Sequence, residues 1–258
     1  MNMHRHVRRV LRGLGVRRRV TDAADGRVVV SFPKSGRTWL RVILDALEVS
    51  CRYTHDGSRH ADAHHFDAMR CAGPGYDGAR VVFLYRDPRD TAVSGYFQAA
   101  KRLGNFNGDI GEFIRSPHHG IEKIVRFNSA WLDPPRPNVH YLTYEAMTQD
   151  AIAEIKAVCE FLGTPRNDEQ IARAVEQASF NAMKKKEASG AFADAYGSRL
   201  TPGQTHDAES FKVRRGKVGG YVDYLSADDI AYADEVMARL GYRPQSEGAT
   251  RLRSPAPG

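Results

Sequence analysis

The sequence predicts one α/β domain in which helices cover both faces of a central, mostly parallel sheet. The length of 258 residues suits a single large domain. Hydrophobic residues make up 41% and charged residues 27% of the chain, which is typical of a folded protein and not of a disordered or fibrous one. Short β-branched segments alternate along the chain with segments of helical periodicity, and this alternation favours a parallel sheet covered by helices.

Two strand-then-helix units are predicted in the N-terminal half. The first has a β-branched run over Arg27–Phe32 and apolar residues at helical spacing over Thr38–Leu47. The second begins with an apolar strand over Val81–Tyr85. An Asp-Pro pair at residues 87–88 then favours the start of a helix that continues to Phe97, because proline fits the first helical turn.

The C-terminal half contains a third unit and a final helix. The third unit has a strand over Val139–Thr143 and a helix over Asp150–Leu162, which ends at a glycine with a proline close behind. The final helix is predicted over Ala227–Leu240. Residues 187–212 are polar, contain glycines and show no period, which is typical of a long loop or lid.

The positive charge is concentrated at the N-terminus. The net charge is +7, but residues 1–20 hold seven arginines and no acidic residue, so the remaining chain is balanced. A basic body typical of nucleic-acid binding is therefore not predicted. Apolar residues of the arm at i, i+3, i+4 and i+7 allow an amphipathic helix; they are Val7, Val10, Leu11 and Leu14. Two interpretations stay open, a solvated arm and a helix lying on an anionic membrane.

These patterns divide the chain into three parts. Residues 1–24 form the basic arm, residues 25–243 the α/β domain and residues 244–258 a disordered tail. No apolar segment is long enough to span a membrane, and the first residues lack the apolar core of a signal peptide. The predicted location is the cytoplasm, with the arm as a candidate peripheral contact with a membrane.

The cysteines carry no evident chemistry. They are odd in number and widely spaced, at Cys51, Cys71 and Cys159. This spacing fits neither a disulfide framework nor a CxxC metal site, so reduced thiols are expected.

A turn with lysine, glycine and hydroxyl residues joins the first predicted strand to the first helix. Backbone N–H groups after such a turn, at a helix N-terminus, can bind a phosphate. In a Walker A loop the lysine follows the glycine, whereas here Lys34 precedes Gly36. The turn over Ser31–Trp39 therefore predicts an anion site and disfavours a nucleoside triphosphatase or a small-molecule kinase.

Four further motifs accompany this turn. In chain order the five are Pro33-Lys-Ser-Gly-Arg-Thr-Trp39, Tyr85-Arg-Asp-Pro-Arg-Asp-Thr-Ala-Val-Ser94, Tyr144-Glu-Ala-Met147, Ala178-Ser-Phe-Asn-Ala-Met183 and Arg214-Arg-Gly-Lys-Val-Gly-Gly220. In order and spacing they resemble the motifs of the cytosolic-type sulfotransferase family, which uses 3'-phosphoadenosine 5'-phosphosulfate (PAPS). The resemblance implies a single-domain, P-loop-like sulfotransferase fold, PAPS as co-substrate and no metal.

The resemblance also implies which residues bind PAPS. It assigns the turn to the 5'-phosphosulfate, and Arg86 with Ser94 to the 3'-phosphate, an anion suited to a planar guanidinium and a hydroxyl. Arg37 stands where the family has a threonine, so it either adds a charge to the site or points outward. The full implied set is Lys34, Ser35, Gly36, Arg37, Thr38, Trp39, Arg86, Ser94, Tyr144, Ser179, Phe180, Arg214, Arg215 and Gly216.

Lys34 and His55 are the implied catalytic residues. The family lysine stabilises the bridging oxygen of the leaving group, and a histidine suits the general base near neutral pH. The segment Tyr53-Thr-His55 is similar to the family's KTH segment, although Tyr53 replaces its lysine. His64 and His65 are the alternative bases.

The acceptor is predicted to present a hydroxyl. Residues 55–67 contain four histidines and three aspartates, which favour a polar acceptor such as a carbohydrate, a glycolipid or another small alcohol. A transition-metal site in this segment is disfavoured, because neither an HExxH pattern nor paired cysteines support it. The alternative function is a nucleotide-responsive binding protein that keeps the fold without catalysis and acts through the basic arm. No nucleic-acid partner is expected, and no oligomeric state is predicted.

Overall fold

The computed structural model describes residues 26–58, 76, 78–189 and 216–243. Its sheet contains four strands, which are β1 (Arg27–Ser31), β2 (Arg52–Thr54), β3 (Arg80–Tyr85) and β4 (Val139–Thr143). They lie in the order β2-β1-β3-β4, and each neighbouring pair is parallel. The predicted parallel α/β fold is confirmed.

Helices lie between and after the strands. In chain order they are α1 (Arg37–Ala46), α2 (Pro88–Phe97), α3 (Ile110–Arg115), α4 (Ile121–Leu132), α5 (Tyr144–Gln149), α6 (Ala151–Phe161), α7 (Asp168–Gln177), α8 (Phe180–Ala188) and α9 (Ala227–Arg239). A π-helical segment, Gln98–Leu103, continues α2, and a 3-10 turn covers Gly220–Asp223. The helices predicted over 38–47, 87–97, 150–162 and 227–240 correspond to α1, α2, α6 and α9.

The two faces of the sheet carry separate cores. Consecutive residues of β3 point to opposite faces, and all are shielded from solvent after Arg80. On one face the Phe83 ring stacks on Trp131 of α4, with centroids 5.4 Å apart. On the other face Leu84 packs in a cluster with residues of α1, α6 and α7. Burial on both faces explains the continuous apolar strand patterns in the sequence.

The sheet brings its four carboxyl ends to one edge. The turn that begins at Phe32 follows β1, and His55 follows β2 directly. Arg86 follows β3, and Tyr144 follows β4. In open α/β sheets the crevice at this edge is the usual place for a ligand.

Parts of the sequence prediction lie outside the described residues. These parts are the arm over 1–24, the tail over 244–258, the loop 187–212 beyond Ser189, and Cys71. The alternative bases His64 and His65 and the predicted PAPS ligands Arg214 and Arg215 also lie outside.

A buried histidine in β4 makes stability depend on pH. The His140 ring packs 5.4 Å from the Phe161 ring, and burial lowers the pKa of His140 to about 4. The unfolded chain takes up this proton near the ordinary pKa, so protonation favours unfolding. The contribution of His140 to stability is complete above pH about 6.5 and is lost as the pH falls toward 4.

We therefore expect that, between pH 7 and pH 5, the free energy of unfolding falls less in a His140→Phe variant than in the wild type. The difference between the two losses should be about 1 to 2 kcal/mol. Urea unfolding at both pH values measures it. Equal losses in the two proteins would show that His140 titrates normally in the fold.

Candidate functional site

A cavity of about 850 Å³ opens at the carboxyl edge of the sheet. Predicted site residues line it together, and they are Lys34, Gly36, Arg37, Thr38, Trp39, His55, Arg86, Ser94, Tyr144, Ser179, Phe180 and Gly216. Ser35 is buried in the turn and is not among the lining residues. Arg37 is among the lining residues.

The turn after β1 has an unusual backbone. Lys34 has a φ of 75° and Gly36 a φ of 96°, both in the left-handed region. A side chain at Gly36 would place its Cβ 2.5 Å from Cδ2 of Tyr144, so only glycine fits there. A non-glycine residue at positive φ costs free energy and is found most often at functional sites. The turn leads directly into the N-terminus of α1, where backbone N–H groups favour an anion.

The Lys34 ammonium contacts the π-helical segment. Its Nζ donates a hydrogen bond of 3.0 Å to Oε1 of Gln98, and both residues line the cavity. Gln98 is a neutral acceptor, so this contact is not an ion pair. Sequence reasoning did not single out Gln98.

Arg86 is held by a buried carboxylate that sequence reasoning missed. Asp90 is 3% exposed and accepts a hydrogen bond of 3.3 Å from Nη2 of Arg86. The same carboxylate accepts 2.9 Å hydrogen bonds from the backbone N–H groups of Gly219 and Tyr221. Arg86 also donates to the Lys217 carbonyl at 2.9 Å. Asp90 therefore ties the arginine to the segment that follows residue 215.

Tyr144 forms a platform beneath the arginine. The Arg86 guanidinium lies 4.3 Å from the centre of the Tyr144 ring, within the range of a cation–π contact. Trp39 meets the same ring edge-on, with centroids 5.7 Å apart. Burial raises the pKa of Tyr144, so its phenol stays protonated at neutral pH. Arg86, Tyr144 and Trp39 thus form one wall of the cavity.

Three buried polar atoms on this side are unsatisfied within the described ranges. The Thr91 hydroxyl, Nε of Arg86 and Nε1 of Trp39 have no hydrogen-bond partner within the described part of the chain. All three residues line the cavity. Thr91 precedes Ser94 by three positions on α2, so the two hydroxyl residues share a helix face. Unsatisfied buried donors in a cavity indicate a polar ligand, and sequence reasoning missed Thr91.

His55 is oriented by the end of β1. Its Nδ1 lies 2.7 Å from the Ser31 carbonyl oxygen, and a carbonyl can only accept, so Nδ1 carries the proton. In the neutral ring the lone pair then lies on Nε2. His55 lines the same cavity as Lys34. The arrangement gives His55 the tautomer that a general base requires.

Comparison with known proteins agrees with this site. A family model described as Sulfotransferase domain matches residues 76–245, more than half of the chain. The chain belongs to the sulfotransferase domain family.

Individual sulfotransferases show how far the similarity extends. Sulfotransferase 2B1 of Rattus norvegicus is 27% identical over 179 residues, covering 66% of this chain and 48% of that protein. Luciferin sulfotransferase of Photinus pyralis is 28% identical over 163 residues, covering 60% of this chain and 42% of that protein. The chain spans about half the length of the curated relatives it matches.

A solved sulfotransferase shares the fold. Mouse sulfotransferase SULT7A1, crystallised in complex with PAP, has a TM-score of 0.61 and 19% sequence identity to this chain. The alignment covers 86% of each chain. The sulfotransferase fold predicted from the five motifs is confirmed.

The sulfotransferase cavity has a second wall, formed by α3, α4 and the segment between them. His119 stacks on Phe113 of α3 with centroids 5.2 Å apart and planes at 6°. Burial lowers the pKa of His119, and the nearby Lys123 and His118 lower it further. This wall combines an aromatic surface with imidazole nitrogens.

The described ranges also bear on the metal and membrane hypotheses. They contain no group of three or more His, Cys, Asp or Glu side chains placed to hold a metal ion. Most of the histidine-rich segment over 55–67 lies outside these ranges. None of the described helices is long and apolar enough to cross a membrane.

Proposed function

We propose that the protein transfers the sulfuryl group of PAPS to a hydroxyl of a small-molecule acceptor, with His55 as the general base. One observation carries the proposal. A single cavity brings together the lysine of the anion-binding turn, the oriented histidine and the arginine after β3, which are Lys34, His55 and Arg86.

The donor side of the cavity suits a nucleotide with two separate anionic groups. The turn at Lys34 and Gly36 offers an ammonium and a helix N-terminus to one group. Arg86, with Thr91 and Ser94 on the next helix, offers a guanidinium and two hydroxyl residues to the other. The buried donors of Arg86 and Thr91 that lack partners within the described ranges support a ligand at this position. The related SULT7A1 was crystallised with PAP.

The proposed chemistry is an in-line displacement. PAPS supplies an activated sulfuryl group, and its adenosine bisphosphate is the leaving group. The Lys34 ammonium stabilises negative charge on the leaving group as a point charge. Nε2 of His55 removes the proton of the acceptor hydroxyl as its oxygen bonds to sulfur. The remaining catalysis comes from holding the two reactants in line.

The acceptor is proposed to be a small molecule with a hydroxyl. The cavity volume of about 850 Å³ lies in the range of small-ligand sites. Among the relatives is a 3-alpha-hydroxysteroid sulfotransferase of Cavia porcellus, and another is named for luciferin. A carbohydrate, a glycolipid and other small alcohols remain in the proposed range.

Calorimetric binding tests the donor site. We expect adenosine 3',5'-bisphosphate to bind at least about tenfold more tightly than AMP or ATP, because only it presents a phosphate to Arg86. An Arg86→Ala variant should lose this preference. An Arg173→Ala variant is the matched control, because Arg173 lies on an exposed face of α7 outside the cavity.

Two results would contradict the donor proposal. One is equal affinity of the wild type for AMP and adenosine 3',5'-bisphosphate. The other is an unchanged preference in a folded Arg86→Ala variant. Either would favour the alternative of a binding protein without catalysis, and thermal unfolding confirms that each variant is folded.

A further inference from the structure

The two oxygens of the Asp90 carboxylate bind different parts of the cavity wall. Asp90 occupies the first turn of α2, and its side chain is buried. Its Oδ2 accepts hydrogen bonds from Nη2 of Arg86 at 3.3 Å and from the Gly219 N–H at 2.9 Å. Its Oδ1 accepts a hydrogen bond from the Tyr221 N–H at 2.9 Å. A carboxylate is costly to bury unless its oxygens are satisfied, and these donors satisfy both of them.

The segment of residues 216–223 is part of the cavity wall and is held to α2 through this carboxylate. Gly216, Lys217 and Gly220 of the segment line the cavity. The Lys217 carbonyl accepts a 2.9 Å hydrogen bond from the same Nη2 of Arg86 that donates to Asp90. The segment is therefore bound at its N–H groups by Asp90 and at a carbonyl by Arg86.

These contacts also fix the orientation of Arg86. Its guanidinium lies 4.3 Å from the centre of the Tyr144 ring, and its Nη2 is used by Asp90 and the Lys217 carbonyl. Its Nε is buried and has no hydrogen-bond partner within the described ranges. Asp90 thus fixes the guanidinium at Nη2, while a second donor of the same group is left for a ligand.

We propose that Asp90 is a positioning residue for the 3'-phosphate of the donor. Its carboxylate orients the Arg86 guanidinium and docks the 216–223 segment at the same point, so that both are in place when the 3'-phosphate binds. Asp90 acts through these groups and not by contact with the phosphate, because two anions repel each other. This inference rests on the proposed function and names the residue that sets its preference for a 3'-phosphorylated nucleotide.

An Asp90→Asn variant tests the inference, because it keeps the shape of the side chain but replaces one acceptor oxygen with a donor NH2. If the NH2 takes the Oδ1 position, it faces the Tyr221 N–H; if it takes the Oδ2 position, it faces Arg86 and the Gly219 N–H. We expect the calorimetric affinity for adenosine 3',5'-bisphosphate to fall about 10- to 100-fold, and the affinity for AMP to change less than about threefold.

A double-mutant cycle assigns the effect to Arg86. In an Arg86→Ala background, Asp90→Asn should lower the affinity for adenosine 3',5'-bisphosphate by less than about threefold, because the partner through which Asp90 acts is already absent. Asp168→Asn is the matched control. It removes an exposed carboxylate that pairs with Lys156 and lies outside the cavity lining, so both nucleotide affinities should be unchanged.

Hydrogen exchange in the wild type tests the coupling without any variant, and it decides the matter if Asp90→Asn does not fold. Each nucleotide is added at the same multiple of its dissociation constant, so that global stabilisation is equal. The Gly219 and Tyr221 amides, which donate to Asp90, should exchange at least about threefold more slowly with adenosine 3',5'-bisphosphate than with AMP. Only the bisphosphate presents a phosphate to Arg86.

The inference and the proposed function fail differently. The inference is wrong if the wild type prefers adenosine 3',5'-bisphosphate and a folded Asp90→Asn variant keeps that preference or loses affinity for both nucleotides equally. It is also wrong if the loss is equally large in the Arg86→Ala background, or if the two nucleotides protect the two amides equally. If the wild type shows no preference for the 3'-phosphate and sulfates no alcohol, the proposed function itself is wrong.

Discussion

Replacement of Lys34 with alanine is expected to lower kcat for sulfuryl transfer by about 100- to 1,000-fold, the usual cost of removing one donor that stabilises developing charge. The physical reason is the position of the ammonium. Lys34 lines the cavity at the end of β1, and its neighbour Gln98 is uncharged. We propose that its positive charge stabilises the leaving group, whose negative charge grows as the S–O bond breaks.

The measurement separates catalysis from donor binding. Initial rates with labelled PAPS give kcat, and calorimetry gives the affinity for adenosine 3',5'-bisphosphate, which should change much less than kcat. Lys101→Ala serves as the control for loss of one positive charge, because Lys101 is exposed and outside the cavity lining. A folded Lys34→Ala variant with wild-type kcat would remove Lys34 from the chemistry.

The position of Lys34 and Arg86 at one edge of the sheet could be predicted because each residue follows a strand end. Lys34 and Arg86 each follow a strand that is visible as an apolar run, and parallel strands bring their carboxyl ends together. The short strand β2 was predictable only through His55, because its three residues are partly exposed and carry no apolar pattern.

The supporting contacts could not be predicted because they join distant parts of the chain. Asp90 accepts hydrogen bonds from the backbone of Gly219 and Tyr221, which are 129 and 131 positions away in the chain. The role of Asp90 depends on tertiary packing. An aspartate in the first turn of a helix is also common for another reason, because negative charge is favourable near the helix N-terminus.

Replacement of His55 is expected to have a comparable effect through a different step. A His55→Ala variant should lose about 100- to 10,000-fold in kcat, which is the usual contribution of a positioned general base. Donor affinity should be retained, because the His55 ring is held at the end of β1, whereas the proposed 3'-phosphate ligand Arg86 lies on the Tyr144 ring. The decline of kcat in acid, where an imidazole base is protonated, should also disappear.

A His55→Asn variant sharpens the test. The amide nitrogen of asparagine can donate to the Ser31 carbonyl as Nδ1 of His55 does at 2.7 Å, but asparagine has no basic nitrogen. If His55 is the base, the asparagine variant is as inactive as the alanine variant, although its local structure is preserved. If His55 only supports β1, asparagine restores activity, and the base must be His64 or His65. The comparison therefore distinguishes proton transfer from positioning at a single side chain.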